Sequence, residues 1–239
     1  MSTMDKFICY LDILGFQSRI ANTKSNFKTF YDKLVKVIVS EIAPGKKVKL
    51  YAISDSVIII SDDIKDVVTT SFAIYSEALH NGIFVRGALT YGPINDSISV
   101  SNIGDNRNIV IPYLGDGYLK AYKLGGDVNC AAIYIDNDIL SKIKDVEHNI
   151  FKYTEIFSKK GTAFEKSFLI SDMNNYSVPQ TILSRISDEI PKFTEHQASK
   201  FIDTFCLYYS IMRDRYNDTT NLKRYHEYWV RILESLCKI

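Results

Sequence analysis

The run Phe7-Ile8-Cys9-Tyr10-Leu11-Asp12-Ile13-Leu14-Gly15-Phe16 constrains the fold more than any other stretch of the chain. It is a short, β-favouring apolar run that one carboxylate interrupts just before a glycine. A run of this length reads as a buried strand, and a charge inside such a strand needs a partner. A second run, Leu50-Tyr51-Ala52-Ile53-Ser54-Asp55-Ser56-Val57-Ile58-Ile59-Ile60, repeats the pattern with Asp55. Two carboxylates on adjacent strands can hold one or two hard cations. Mg²⁺ or Mn²⁺ is favoured because oxygen ligands and substrate phosphates complete the shell. Carboxylates at strand ends also cap turns, so spacing alone leaves both readings open.

Between the two runs, Ser25 or Asn26 caps a helix to about Glu41, with Phe27, Phe30, Leu34, Val37 and Ile38 on one face. Pro44-Gly45 stops it. The second run divides into strands over about 47–53 and 56–61 joined at Ser54-Asp55, which puts Asp55 at a hairpin tip. Asp62-Asp63 caps a helix through about His80, ended by Asn81-Gly82. A strand over Ile83–Tyr91 carries Arg86. Residues 92–108 are rich in turn formers around Ile98-Ser99-Val100 and read as a loop or extended arm. A short strand Ile109–Ile111 follows, then a helix over Gly115–Leu124 ended by Gly125-Gly126, a strand Asn129–Ile135 and a helix over about Asp136–Ile143. The pattern β-α-ββ-α-β-α-β predicts an α+β sandwich with helices against a mainly antiparallel sheet.

The texture changes near residue 150. One or two strands over Phe151–Ile170 and helices over Pro179–Ile190, Thr194–Tyr216 and Leu222–Cys237 suggest two units. Residues 1–145 are expected to form one domain and 146–239 a strand and helix extension packed on it. The last helix brings Tyr225, Tyr228, Trp229, Ile232, Leu233 and Leu236 to near-helical spacing, as a docking face requires.

Composition narrows the function classes. With 29 basic against 28 acidic residues among 239, the net charge of +1 offers no field for nucleic acid or a membrane surface. An anionic substrate must therefore be handled locally. Cys9, Cys130, Cys206 and Cys237 lack CxxC spacing, and reduced thiols in a cytoplasmic protein are expected. No apolar run approaches the roughly 18 residues of a membrane span. The four histidines are scattered, and no Walker loop, nucleophile elbow or zinc motif occurs.

The segments Tyr10-Leu11-Asp12-Ile13-Leu14-Gly15-Phe16, Ile53-Ser54-Asp55-Ser56 and Arg86-Gly87-Ala88-Leu89-Thr90-Tyr91-Gly92 together resemble the class III adenylate and guanylate cyclase catalytic domain. There an Asp-Ile-x-Gly-Phe strand and a hairpin Asp hold the metals, and the fourth strand carries Arg-x-Gly-Ile-x-x-Gly. The similarity covers about residues 5–145. Purine cyclases read the base with a Lys four residues before the hairpin Asp, where this chain has Tyr51. A tyrosine cannot supply that cationic donor, but it can stack on or hydrogen-bond a smaller base. With the run Gly115-Asp116-Gly117-Tyr118-Leu119-Lys120-Ala121-Tyr122-Lys123-Leu124, this chain is similar to the bacterial Pycsar pyrimidine cyclases, antiphage enzymes that make cyclic UMP or cyclic CMP.

The resemblance implies a UTP or CTP cyclase with two divalent ions, Mn²⁺ or Mg²⁺, on Asp12 and Asp55. The amides of Ile13, Leu14, Gly15 and Phe16 are expected at the phosphates. Purine cyclases place an Asn and, four residues on, a transition-state Arg on the later helix. Leu119 and Lys123 occupy those positions here, with Lys120 and Arg86 as alternative cations; an Arg86 that pairs with a nearby carboxylate is an equally good reading. The family's head-to-tail homodimers share metal and base-reading residues across the interface, and a separate effector responds to the cyclic nucleotide.

Overall fold

The first strand, β1 (Met4–Ile13), is apolar on both faces because both are covered. Phe7, Cys9, Leu11 and Ile13 point into one hydrophobic cluster, while Ile8 and Tyr10 point into another. A strand with one wet face would have alternated polar and apolar residues. The computed structural model describes residues 4–14, 47–95, 98–102, 108–112, 115–143, 150–155, 164–169 and 195–216. It also describes single positions 32, 35, 36, 183, 184, 186, 223, 226–228, 230, 231 and 234. The helix expected over 25–41 lies outside these residues, apart from the helical positions Asp32, Val35 and Lys36.

β2 (Lys49–Ile53) and β3 (Ser56–Ser61) form the expected hairpin. After it comes α1 (Ile64–His80), capped by Asp63, whose side chain accepts the Lys65 amide at 2.8 Å. β4 (Val85–Ile94) leads into β5 (Ile98–Asn102) and β6 (Asn108–Pro112), which pair only with each other as a two-stranded arm. Helix α2 (Gly115–Gly126), β7 (Ile133–Ile135), a 3₁₀ helix (Asn137–Lys142), β8 (Ile150–Glu155), β9 (Phe164–Leu169) and α3 (Glu195–Tyr216) complete the described elements. The main sheet has the order β2-β3-β1-β4-β7-β9-β8, antiparallel throughout except between β4 and β7. The expected α+β class with a mainly antiparallel sheet is what the chain adopts.

Two local expectations change. The strand expected from Asn129 shrinks to three residues, because Ala132 turns back to donate to the Cys130 carbonyl and the Ala131 amide donates to the Thr204 hydroxyl of α3. In addition, α2 runs through the two glycines that were expected to end it. Gly117, Ala121 and Gly125 all face the sheet and are buried. A Cβ on Gly125 would sit 2.9 Å from the Tyr10 ring, and one on Gly117 only 2.5 Å from Ile8. The missing side chains let α2 lie directly on β1 and β4.

β8 and β9 extend the same sheet that carries β1, and Phe201, Phe205, Leu207, Tyr208 and Ile211 of α3 share one core with Leu11, Ile13 and Val85. The sheet thus lies between α1 and α3 on one face and α2 on the other.

Candidate active site

Register builds the site. Asp12 pairs with Ser56 of β3 and with Arg86 of β4, and Ser56 pairs with Ile53 of β2. Directly opposed residues share a face of the sheet, so Ile53, Ser56, Asp12 and Arg86 form one row across four strands, on the side that α2 covers. The Arg86 Nε and Nη2 both donate to Oδ2 of Asp12 at 3.2 Å. Its Nη1 donates to the carbonyls of Gly126 at 3.1 Å and Val128 at 3.0 Å. Arg86 therefore ties the carboxylate of β1 to the C-terminal end of α2, where free carbonyls and the helix dipole favour a cation. The neighbouring Gly87 permits this close approach, since a Cβ there would lie 2.0 Å from the Tyr10 carbonyl.

Asp55 lies at the hairpin tip, beside Ser54, which takes a left-handed φ of 56°. The tip bends back to β1, where the Ile13 amide donates to the Asp55 carbonyl at 3.2 Å. The two aspartates are near enough to repel. Burial first, and Asp55 in addition, raise the Asp12 carboxyl above the usual carboxylate range, while Arg86 and Lys200 pull it down. Oδ1 of Asp12 is outside the Arg86 contacts. A divalent cation at this oxygen and the Asp55 carboxylate would relieve the repulsion, so the residues present fit Mg²⁺ or Mn²⁺. Among the described residues no group of three or more His, Cys, Asp or Glu could hold a metal. A two-carboxylate donor set is what Mg²⁺ accepts when substrate phosphates and water supply the rest.

The other expected site residues are distributed more widely. Tyr51, opposite Ile58 on the edge strand β2, is half-buried against the cluster of Ile8, Tyr10 and Ala121 on the α2 face. Lys123 is exposed in the last turn of α2. Lys120 forms ion pairs with Asp136 and Asp138, which raise its pKa and engage its ammonium. All three nitrogens of Arg86 are engaged, so it acts as the anchor of Asp12, the pairing alternative left open by the sequence. The Ile13 and Leu14 amides carry a different duty from the one expected. They donate to the carbonyls of Asp55 and, at 2.8 Å, Phe84, while Gly15 and Phe16 lie outside the described residues.

Sequence reasoning missed Lys200. It lies on α3, and its charge acts on both Asp12 and Arg86. The available signal was slight: a lysine immediately before the apolar positions Phe201, Phe205 and Tyr208 of one helix face.

No protein-family model matches the chain, and no curated protein matches it in sequence. Solved structures do match. The catalytic core of a rhodopsin-guanylyl cyclase with converted specificity, in complex with ATPαS, is 16% identical at a TM-score of 0.50, over 71% of this chain and 96% of that one. A bacterial light-regulated adenylyl cyclase is 16% identical at a TM-score of 0.51, over 75% of this chain and 56% of that one. The fold is that of a class III nucleotide cyclase catalytic domain. In this cyclase fold the row of Asp12 and Arg86 occupies the middle of the sheet. The rhodopsin-guanylyl cyclase core is matched almost entirely by 71% of the chain, so the rest of this chain lies outside that match. No helix among the described residues is long and apolar enough to cross a membrane.

Proposed function

We propose that this chain is a pyrimidine nucleotide cyclase, converting UTP or CTP to the 3′,5′-cyclic nucleotide and pyrophosphate as a cytoplasmic second-messenger signal in antiphage defence. The observation that carries the reading is the pairing of Asp12 with the hairpin-tip Asp55, joined through the Ile13 amide, within a cyclase fold. Divalent Mn²⁺ or Mg²⁺ ions, two per site, would be held by these carboxylates and would supply charge neutralisation on the triphosphate and acidify the attacking 3′-hydroxyl. Arg86 fixes the Asp12 carboxylate in place, so it need not reorganise when substrate arrives. Gly15 and Phe16 remain the candidate phosphate amides, and Lys123 the candidate cation for the transition state. Tyr51 supports the pyrimidine choice because it stands where purine cyclases have a lysine and offers a neutral aromatic surface with one hydroxyl.

A head-to-tail homodimer accounts for the apolar surface on the α2 side. Ile53, Leu119 and Tyr122 are 48%, 45% and 51% exposed, and Ile53 shares a row with Asp12. A second copy covering them would bring its own Tyr51 and Lys123 toward this chain's aspartates.

Incubating the purified protein with each of the four NTPs and Mn²⁺ tests the proposal. A cyclic product should form from UTP or CTP, and Asp12→Asn and Asp55→Asn should each lower its rate by at least about a hundredfold. If neither pyrimidine triphosphate is cyclised, the proposal fails. A second reading, nucleotide binding without turnover, is favoured by Leu119 at the family's Asn position and by the full engagement of Arg86. Calorimetry that detects UTP or CTP binding while no product forms would establish it.

A further inference from the structure

Between α2 and β7, residues 127–132 carry neither helix nor strand, yet Val128, Ala131 and Ala132 are buried. Buried peptide groups outside a ladder need other partners, and side chains supply them to Ala131. Its amide donates to Thr204 Oγ1 of α3 at 2.8 Å, and that hydroxyl sends its own proton to the Lys200 carbonyl. Its carbonyl accepts from the Tyr75 hydroxyl of α1, which also meets the Tyr208 hydroxyl of α3. A carbonyl can only accept, so Tyr75 gives its single proton to Ala131 and Tyr208 donates to Tyr75. Thr204 and Tyr208 are one turn apart on α3, and they and Tyr75 are buried. Helix α3 thus holds Ala131 by its amide directly and by its carbonyl through Tyr75.

The same segment also holds the site. The Val128 carbonyl receives Nη1 of Arg86 at 3.0 Å, and the Ala132 carbonyl receives the amide of the next residue, Gly87, at 3.0 Å. Nε and Nη2 of Arg86 hold Asp12. We propose that Thr204 and Tyr75 are positioning residues, which fix residues 128–132 so that Arg86 keeps the Asp12 carboxylate in its working orientation. This rests on the nucleotide reading above for what Asp12 does, and deepens it by giving the C-terminal helix a part in the site. Both residues act through Arg86 and not on the nucleotide. The tolerance is narrow, since a shift of roughly 0.5 Å in the segment would carry the Val128 contact beyond the range of a good hydrogen bond.

Nuclear magnetic resonance of the Arg86 guanidinium in the full chain tests this without turnover, its signals being assigned by their loss in Arg86→Lys. In wild type the engaged Nε and Nη hydrogens should exchange slowly with water. Thr204→Val keeps the side-chain shape but leaves the buried Ala131 amide without an acceptor, and exchange should quicken by at least about tenfold. Thr204→Ser, which keeps the hydroxyl, should restore it. Tyr75→Phe removes the second tie and should act in the same direction, which keeps the test open if Thr204→Val does not fold. Ile211→Val trims the buried core of the same helix without removing a hydrogen bond. It should lower the urea midpoint and leave the Arg86 signals unchanged. Three results overturn the proposal: wild-type exchange already as fast as that of an exposed arginine, either folded variant exchanging as slowly as wild type, or Ile211→Val exposing Arg86 equally. If the Arg86 signals respond as expected but no NTP is cyclised by wild type, the cyclase reading falls and the link from α3 to Arg86 stands. If wild type makes product and Thr204→Val and Tyr75→Phe match it in kcat and in Arg86 exchange, the reverse holds.

Discussion

Replacing Arg86 by methionine tests whether one side chain holds the site together. The substitution keeps much of the aliphatic stem and removes four hydrogen bonds, two to Asp12 and two to the carbonyls that end α2. The paired side chains are 16% and 17% exposed, so water can replace little of what is lost. Removing one partner of a buried pair costs about 3 kcal/mol, most of it from the charge left behind. The pH dependence follows from that charge. In the folded protein the Asp12 carboxyl is already raised above its ordinary value, by burial first, and losing Arg86 raises it further. A folded-state pKa above the unfolded one means that the native state holds the proton more tightly. The associated stability is present at low pH and is lost as pH rises through the folded pKa. The gap between wild type and Arg86→Met should therefore be widest near neutrality and should narrow as acid neutralises Asp12. Urea unfolding, followed by circular dichroism across this range, reads it directly. A cost under about 1 kcal/mol, or one that does not change with pH, would refute the assignment of Arg86 as the anchor of Asp12.

Four other substitutions or probes address the frame. Gly87→Ala drives a Cβ to 2.0 Å from a backbone carbonyl and should cost more than about 3 kcal/mol, whereas Gly126→Ala meets nothing within 4 Å and should leave urea midpoints unchanged or slightly raised. Ser54→Gly relieves the left-handed φ of 56° beside Asp55 and should raise stability by about 1 kcal/mol in the same assay. The Cys9 thiol, pushed up to about 12 by burial, should resist alkylation in the native protein and be labelled only in urea, as peptide mapping by mass spectrometry would show.

Much of the frame was legible because its signals are local. Phe7 to Leu14 could be read as a buried strand from an apolar run broken only by Asp12, and the Asp55 hairpin from Ser54-Asp55 between two β-favouring runs. Asp63 announced α1 by the ordinary capping chemistry. What was hidden depends on register and distance along the chain. That Arg86 engages all three of its nitrogens with Asp12, Gly126 and Val128 follows from the Asp12–Arg86 pairing and from α2 ending beside it, and neither is written in residue spacing. Gly125 looked like a helix stop because glycine is the usual one, but here it is a contact with Tyr10. Residues past 150 looked like an appendage because their pattern changes. Yet β9 pairs with β7, and Phe201 and Phe205 fill the core above β1.

The cations show how far the two halves of the chain depend on each other. Four basic residues were candidates for charge at the site, and the geometry divides them by what already holds them. Arg86 and Lys120 are spent on carboxylates and carbonyls within the fold, so neither is left to follow charge as it develops on a phosphate. Lys123 is exposed on the α2 side, near Leu119 and Tyr122, which are themselves exposed. A lysine there gains from the helix dipole wherever it points, so its position alone assigns it no catalytic work; that work requires a second copy on this face. Lys200 lies on α3. Its helix is held in place where Thr204 and Phe201 lock α3 onto Ala131 and Phe84. A chain cut after the α2 and β7 segment would keep both aspartates and Arg86. It would lose the aromatic side chains of Phe201, Phe205 and Tyr208 that close the core shared with Leu11, Ile13 and Val85.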